Sequence, residues 1–212
     1  MRIVLFGGTF NPIHNGHIEL AKKVYKDFNI DKFFFIPAKI PPHKNLGLVP
    51  AEKRFEMVKL ALDFCLRGNF EVSDYELKQE GISFTYKTLK YFRKLYPDDI
   101  LFFLTGSDIF ATIETWQNWR ELFKLSNFIV ANRREMPFEK MMNIIPEELK
   151  SLVINFSDYV DQKEGAIILY KIDEIPISST EIREKFKDKT IFSCLPNVVV
   201  DYIRKNKLYQ EV

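Results

Sequence analysis

The 212 residues carry 31 Lys and Arg against 29 Asp and Glu, a net charge of +2, and 46% of them are hydrophobic. That balance excludes a disordered chain and lacks the clustered basic excess of a dedicated nucleic-acid binder. The two cysteines, Cys65 and Cys194, form neither a disulfide framework nor a zinc-ligand pattern.

The chain begins with a short apolar run, residues 2–6, that stops at Gly7-Gly8 and reads as a buried strand. Residues 15–28 place Ile18, Leu20, Ala21, Val24, Tyr25 and Phe28 on one helical stripe. Residues 32–36 read as a second strand stopped by Pro37, completing a βαβ unit. Residues 38–50 form a loop stiffened by Pro41, Pro42 and Pro50. Next come a helix at 52–66, a strand at 70–72, a helix at 85–95, a strand at 100–104 and a helix at 116–125. A strand at 127–131 follows, then a helix at 135–152 interrupted by Pro137 and Pro146, a strand at 166–172, and short helices at 179–186 and 197–206. Strands and helices alternate throughout, so the expected fold is α/β: a Rossmann-like, doubly wound parallel sheet in a single domain over 1–212, with a small C-terminal helical segment at about 176–212. The opening strand is too short and glycine-broken for a signal peptide, and no apolar run approaches the roughly 18 residues of a membrane span. A cytoplasmic protein with reduced thiols and no membrane partner is therefore expected.

In doubly wound sheets ligands bind beyond the carboxyl ends of the strands. Gly7-Gly8-Thr9-Phe10 stands at such an end, just before a helix. Its glycines let the backbone approach a bulky anion, and the helix start favours negative charge. This is neither G-x-G-x-x-G nor a P-loop. His14 and His17 sharpen the reading, because a spacing of three across a helix start lets both face the mouth of the sheet, while Gly16 between them leaves room for a ligand. Capping or surface roles are the bland alternative. A zinc site built with His43 is disfavoured, since no H-E-x-x-H or C-x-x-C spacing accompanies it, and no protein-held metal is expected.

The run Gly-Gly-Thr-Phe-Asn-Pro-Ile-His-Asn-Gly-His, residues 7–17, resembles the signature of the HxGH nucleotidyltransferase superfamily, with Asn11 where Asp is common. Four further segments are similar to bacterial nicotinate-mononucleotide adenylyltransferases. They are Pro41-Pro42-His43-Lys44, the run from Ser83 to Leu89, Gly106-Ser107-Asp108 followed by Trp116, and the run from Ile177 to Arg183. Gln117, Glu135 and Ile82 depart from that pattern on the mononucleotide side.

The resemblance implies transfer of AMP from ATP to nicotinate mononucleotide, with Mg²⁺ carried by the ATP phosphates. It implies an ATP site of Gly8, Thr9, Phe10, His14, His17, Ser179, Thr180 and Arg183, with His14 and His17 in the catalytic role. It implies a mononucleotide site in which Lys44 meets phosphate, Thr85 the pyridine carboxylate region, Asp108 the ribose hydroxyls and Trp116 the pyridine ring. Arg134 or its neighbour Arg133 would meet a phosphate or the adenine edge. Read without the resemblance, Ser178–Thr180 is also a good helix N-cap, Trp116 a core residue opening the 116–125 helix, and Asp108 a cap. Another HxGH enzyme acting on nicotinamide mononucleotide or phosphopantetheine, or a non-catalytic nucleotide-binding module, is the alternative. A homo-oligomer is compatible with the sequence.

Overall fold

The computed structural model describes residues 1–42, 47–133, 135–173, 177–186 and 189–209. In chain order the elements are β1 (Arg2–Gly8), α1 (Asn15–Asp27), β2 (Lys32–Pro37), α2 (Ala51–Cys65), β3 (Phe70–Val72), α3 (Tyr75–Lys78), α4 (Thr85–Leu95), β4 (Ile100–Gly106), α5 (Ser107–Phe110), α6 (Trp119–Leu122), β5 (Asn127–Ala131), α7 (Phe138–Met142), α8 (Glu147–Lys150), β6 (Val153–Asn155), β7 (Ile167–Tyr170), α9 (Ser179–Glu184) and α10 (Asn197–Lys205). The seven strands form a sheet in the order β3-β2-β1-β4-β5-β7-β6. The pairings of β1 with β4, β2 with β3, β4 with β5, β5 with β7 and β6 with β7 are parallel. This is the expected Rossmann-like α/β class.

The winding reverses at β1 and β4, which pair from Arg2 opposite Ile100 to Phe6 opposite Leu104. That reversal is the switch point beyond which such sheets bind ligands. The strands there are apolar throughout because both faces are covered. Ile3, Val4, Leu5, Leu101, Phe102 and Leu104 are fully buried.

The chain divides into two compact units. One holds Met1–Gly7, Ile30–Lys32 and Phe84–Glu174, and the other holds Gly8–Asn29, Phe33–Ser83 and Ile175–Val212. In the first unit the aromatic rings of Phe103, Phe110, Phe123 and Phe128 pack together around β4 and β5. In the second, α1 buries Ile18, Leu20, Ala21 and Val24, and α2 buries Met57, Val58, Ala61 and Leu62. The segment expected to be helical at the C-terminus lies in the second unit and supplies α9 and α10.

Several expected elements are corrected. The helix at 116–125 is reduced to α6, because Asn118 adopts a left-handed backbone (φ 51°) that no continuous helix can contain. Trp116 therefore does not open a helix; it follows a 3-10 turn at Ile113–Thr115 in extended conformation. The helix at 135–152 is two short pieces, α7 and α8, each entered from the proline that was expected only to interrupt it, Pro137 and Pro146. The strand β6, directly after, was not anticipated. Strand β1 runs through Gly7 and Gly8, so the turn begins at Thr9. No helix among the described residues is long and apolar enough to cross a membrane.

Candidate active site

The second unit carries the whole predicted ATP set. His14 is the N-cap of α1, in extended conformation, and its carbonyl accepts the His17 and Ile18 N–H groups at 2.9 and 3.3 Å. His17 sits three positions on and returns the favour: its Nδ1 accepts the His14 backbone N–H at 3.2 Å. The geometry is that of a capping box with imidazole as the acceptor, so capping and candidate catalysis coincide in one residue. Because Nδ1 is the acceptor, the neutral ring carries its proton on Nε2. The two imidazoles lie with centroids 3.7 Å apart, and the Phe10 ring meets His17 edge-on at 5.1 Å. His14 is almost fully buried at 2% exposure, whereas His17 is half-buried.

Phe10 explains Gly8. Its ring is 2% exposed and lies so close beneath Gly8 that a Cβ there would meet ring carbon at 2.8 Å. The space over Gly16 has another tenant than the ligand expected from the sequence. A Cβ at Gly16 would meet His14 Nδ1 at 3.0 Å and Ile177 Cγ2 at 3.3 Å, so the glycine admits the His14 ring and the chain leading into α9. Gly16→Ala should therefore displace the His14 ring. Turnover is expected to fall about tenfold, by misplacement of a few tenths of an ångström. Stability should hold, since alanine is the better helix former by about 1 kcal/mol. Kinetics beside a thermal melt would check it, and a lowered melting temperature with unchanged turnover would defeat the expectation.

The segment from Ile177 to Arg183 is tied to the signature loop. Ser178 Oγ caps α9 by accepting the Glu181 N–H at 3.1 Å, as the bland reading expected. The next residues face the loop: Ser179 Oγ donates to the Pro12 carbonyl at 2.9 Å and Arg183 Nη1 to the Asn11 carbonyl at 2.9 Å. Arg183 Nη2 donates to Thr180 Oγ1 at 3.2 Å. Ser179, Thr180, Arg183, His14 and His17 are thus brought around one loop.

The first unit carries the described part of the predicted mononucleotide set. Thr85 is the first residue of α4 and half-buried. Asp108, exposed in the first turn of α5, lies 3.8 Å from Arg133 Nε, a weak surface pair. Arg133 is fixed by its backbone N–H, which donates to Ser107 Oγ at 2.9 Å. The Trp116 ring packs edge-on to Phe103 at 6.0 Å, and its Nε1 donates to Thr112 Oγ1 at 3.3 Å. His43, Lys44 and Arg134 lie outside the described residues.

Three residues of the second unit were missed. Arg54 is 1% exposed and donates to the carbonyls of Thr9, Lys39 and Val49. A signal existed, since Arg54 stands on the apolar stripe of α2 with Met57, Val58 and Ala61, where a charge has no bland explanation. In the sequence Asn11 stands out only as a departure from Asp. It is 2% exposed, donates Nδ2–H to the Gly47 carbonyl at 3.0 Å, and its Oδ1 accepts the Tyr209 hydroxyl at 2.8 Å. An amide suits this place because it both donates and accepts; an ionised carboxylate could only accept. Tyr209, the third, gave no local signal.

Among the described residues no group of three His, Cys, Asp or Glu could hold a metal ion.

A family model described as cytidylyltransferase-like matches residues 5–185. The chain is 39% identical over 209 residues to the probable nicotinate-nucleotide adenylyltransferase of Clostridium acetobutylicum, covering 97% of each. It is 38% identical over 208 residues to the one from Clostridium botulinum strain Langeland, covering 97% of this chain and 98% of the relative. Its fold is similar to that of Plasmodium falciparum nicotinic acid mononucleotide adenylyltransferase complexed with NaAD, with a TM-score of 0.77 at 21% identity over 98% of this chain and 97% of that one. The chain belongs to the cytidylyltransferase-like family, among the nicotinate-nucleotide adenylyltransferases.

Proposed function

We propose that this chain transfers AMP from ATP to nicotinate mononucleotide, giving nicotinate adenine dinucleotide and pyrophosphate, a step of NAD biosynthesis. A phosphate oxygen of the mononucleotide attacks the α-phosphorus of ATP in line. A new P–O bond forms while the bond from the α-phosphorus to the bridging β-oxygen breaks, and its electron pair leaves with pyrophosphate. The nucleophile is already anionic, so no general base is needed, and the protein's work is positioning and charge stabilisation.

The observation that carries this reading is the His14–His17 pair, in which the bond from the His14 N–H to Nδ1 reserves Nε2 of His17 as a fixed donor. In the proposed roles, His17 Nε2–H donates to the α-phosphate as charge develops there, and His14 orients it and backs the same phosphate region. Gly8, Thr9 and Phe10 contribute main chain, because the Phe10 side chain is committed to packing. Ser179, Thr180 and Arg183 take the polyphosphate, and Arg183, with its planar fork, suits bidentate contact. Lys44 meets phosphate, either Arg133 or Arg134 a phosphate or the adenine edge, Thr85 the carboxylate side of the pyridine, Asp108 ribose hydroxyls and Trp116 the pyridine face. Bound Mg²⁺ supplies neutralisation of the triphosphate charge.

The test is pyrophosphate release with ATP and Mg²⁺ against three acceptors. Turnover is expected with nicotinate mononucleotide, less with nicotinamide mononucleotide and none with phosphopantetheine. Turnover with phosphopantetheine, or with none of the three, would discard the assignment.

A further inference from the structure

We propose that Arg54 and Tyr209 are positioning residues that clamp the signature loop, residues 9–13, to both ends of the 38–50 loop. The proposal rests on the function given above. It concerns residues of the second unit alone.

Arg54 is 1% exposed, so its guanidinium meets protein rather than substrate. Its three nitrogens reach three different places. Nη1 donates to the Thr9 carbonyl at 2.7 Å, immediately after Gly8. Nη2 donates to the Lys39 carbonyl at 3.0 Å, at the start of the 38–50 loop. Nε donates to the Val49 carbonyl at 2.9 Å, at its end. A buried cation survives only where dipoles replace its water, and here three loop carbonyls do so. Desolvation lowers its pKa from the usual guanidinium value. Lysine could not replace it, because an ammonium lacks the planar fork that separates the three carbonyls.

Asn11 makes the second half of the clamp. Its Nδ2 donates to the Gly47 carbonyl at 3.0 Å, and its Oδ1 accepts both the Val49 N–H at 3.3 Å and the Tyr209 hydroxyl at 2.8 Å. Its own carbonyl is the one held by Arg183. Tyr209 fixes the Asn11 amide in the orientation that makes all these bonds together. Burial raises the phenol pKa, which keeps it a neutral donor. The chain is turned back toward Asn11 just after α10. Lys207 takes a left-handed φ of 53°, Lys207 N–H bonds the Arg204 carbonyl at 3.2 Å and Leu208 N–H the Ile203 carbonyl at 3.0 Å. That is a Schellman ending, with lysine where glycine is usual.

Every carbonyl held by Arg54 or Asn11 belongs to one of these two loops, and none to the interior of a strand or helix. Hence the expected consequence of loosening the clamp is local. The experiment uses the full chain with Tyr209→Phe, which removes one oxygen and keeps the ring against Phe186, and Arg54→Lys. Amide hydrogen exchange is read over residues 9–11 and 47–49, beside kcat and KM for ATP. With Tyr209→Phe, exchange of these amides should rise about tenfold and kcat/KM for ATP fall about fivefold, while amides of β4 and β5 exchange as before. Arg54→Lys should exceed it in both. Adding Tyr209→Phe to Asn11→Ala should cost nothing further, because the bond that Tyr209→Phe cuts is already lost with the Asn11 amide. Unchanged loop exchange, a rise spread over the whole chain, or wild-type kinetics beside faster loop exchange would each overturn the proposal. Absence of turnover in the wild type would sink the assigned function instead, and loop exchange would still decide the clamp.

Discussion

Replacing His17 with alanine lowers kcat by about 10²–10³-fold, the usual loss when one preorganised donor to a developing oxyanion is removed. The magnitude follows from how the ring is held. His17 is gripped on Nδ1 by the His14 N–H at 3.2 Å, lies tilted against the His14 ring at 3.7 Å between centroids and is met edge-on by Phe10 at 5.1 Å. Its remaining nitrogen therefore needs no reorientation when charge builds on the α-phosphate. ATP affinity should change far less, because Ser179, Thr180 and Arg183 are free of that loss and retain the polyphosphate. Steady-state kinetics with ATP varied, beside a calorimetric Kd, separate the two effects. An unchanged kcat, or a loss entirely in Kd, would remove His17 from its role.

The histidine pair was legible in the sequence because its geometry is local: a spacing of three at a helix start fixes the ring positions with little help from the rest of the fold. The same holds for the buried parallel strands, whose runs such as Val4-Leu5-Phe6 and Phe128-Ile129-Val130 are apolar because both faces are covered. Legibility failed where tertiary structure overrode local pattern. Residues 116–125 have helical periodicity, yet Asn118 turns left-handed and leaves Trp116 in an extended stretch against Phe103. In the sequence Pro137 and Pro146 read as breaks in one helix, although proline is at home at a helix entrance, and each opens a helix of its own. In the sequence Gly16 reads as room for a ligand, because nothing there says that Ile177 arrives beside it. The Asn11–Tyr209 bond joins residues 198 apart, a pairing no local rule contains. Arg54 is the intermediate case, visible as a charge on an apolar stripe but with carbonyl partners that only the fold identifies.

Phe128→Ala should destabilise the protein by about 3–5 kcal/mol, as truncations of buried aromatics do. Phe128 is fully buried on β5, and three rings surround it: Phe123 at 4.9 Å, Phe103 at 5.5 Å and Phe110 at 5.8 Å. Phe110 and Phe123 already pack on one another and Phe103 is held against Trp116, so these rings cannot close over the void and the cavity contribution persists. For a chain of this size the loss corresponds to a fall in Tm of about 6–20 °C. The functional consequence has a direction too. Phe103 touches both Phe128 and Trp116, the latter edge-on at 6.0 Å, so loosening the cluster unseats the proposed pyridine platform within the same unit. KM for the mononucleotide should therefore rise more than KM for ATP, measured well below the lowered Tm. A melt with both KM values decides it. Equal changes in the two constants would mean that the cluster supports the fold alone, and that Trp116 takes its position from Thr112 and the 3-10 turn before it.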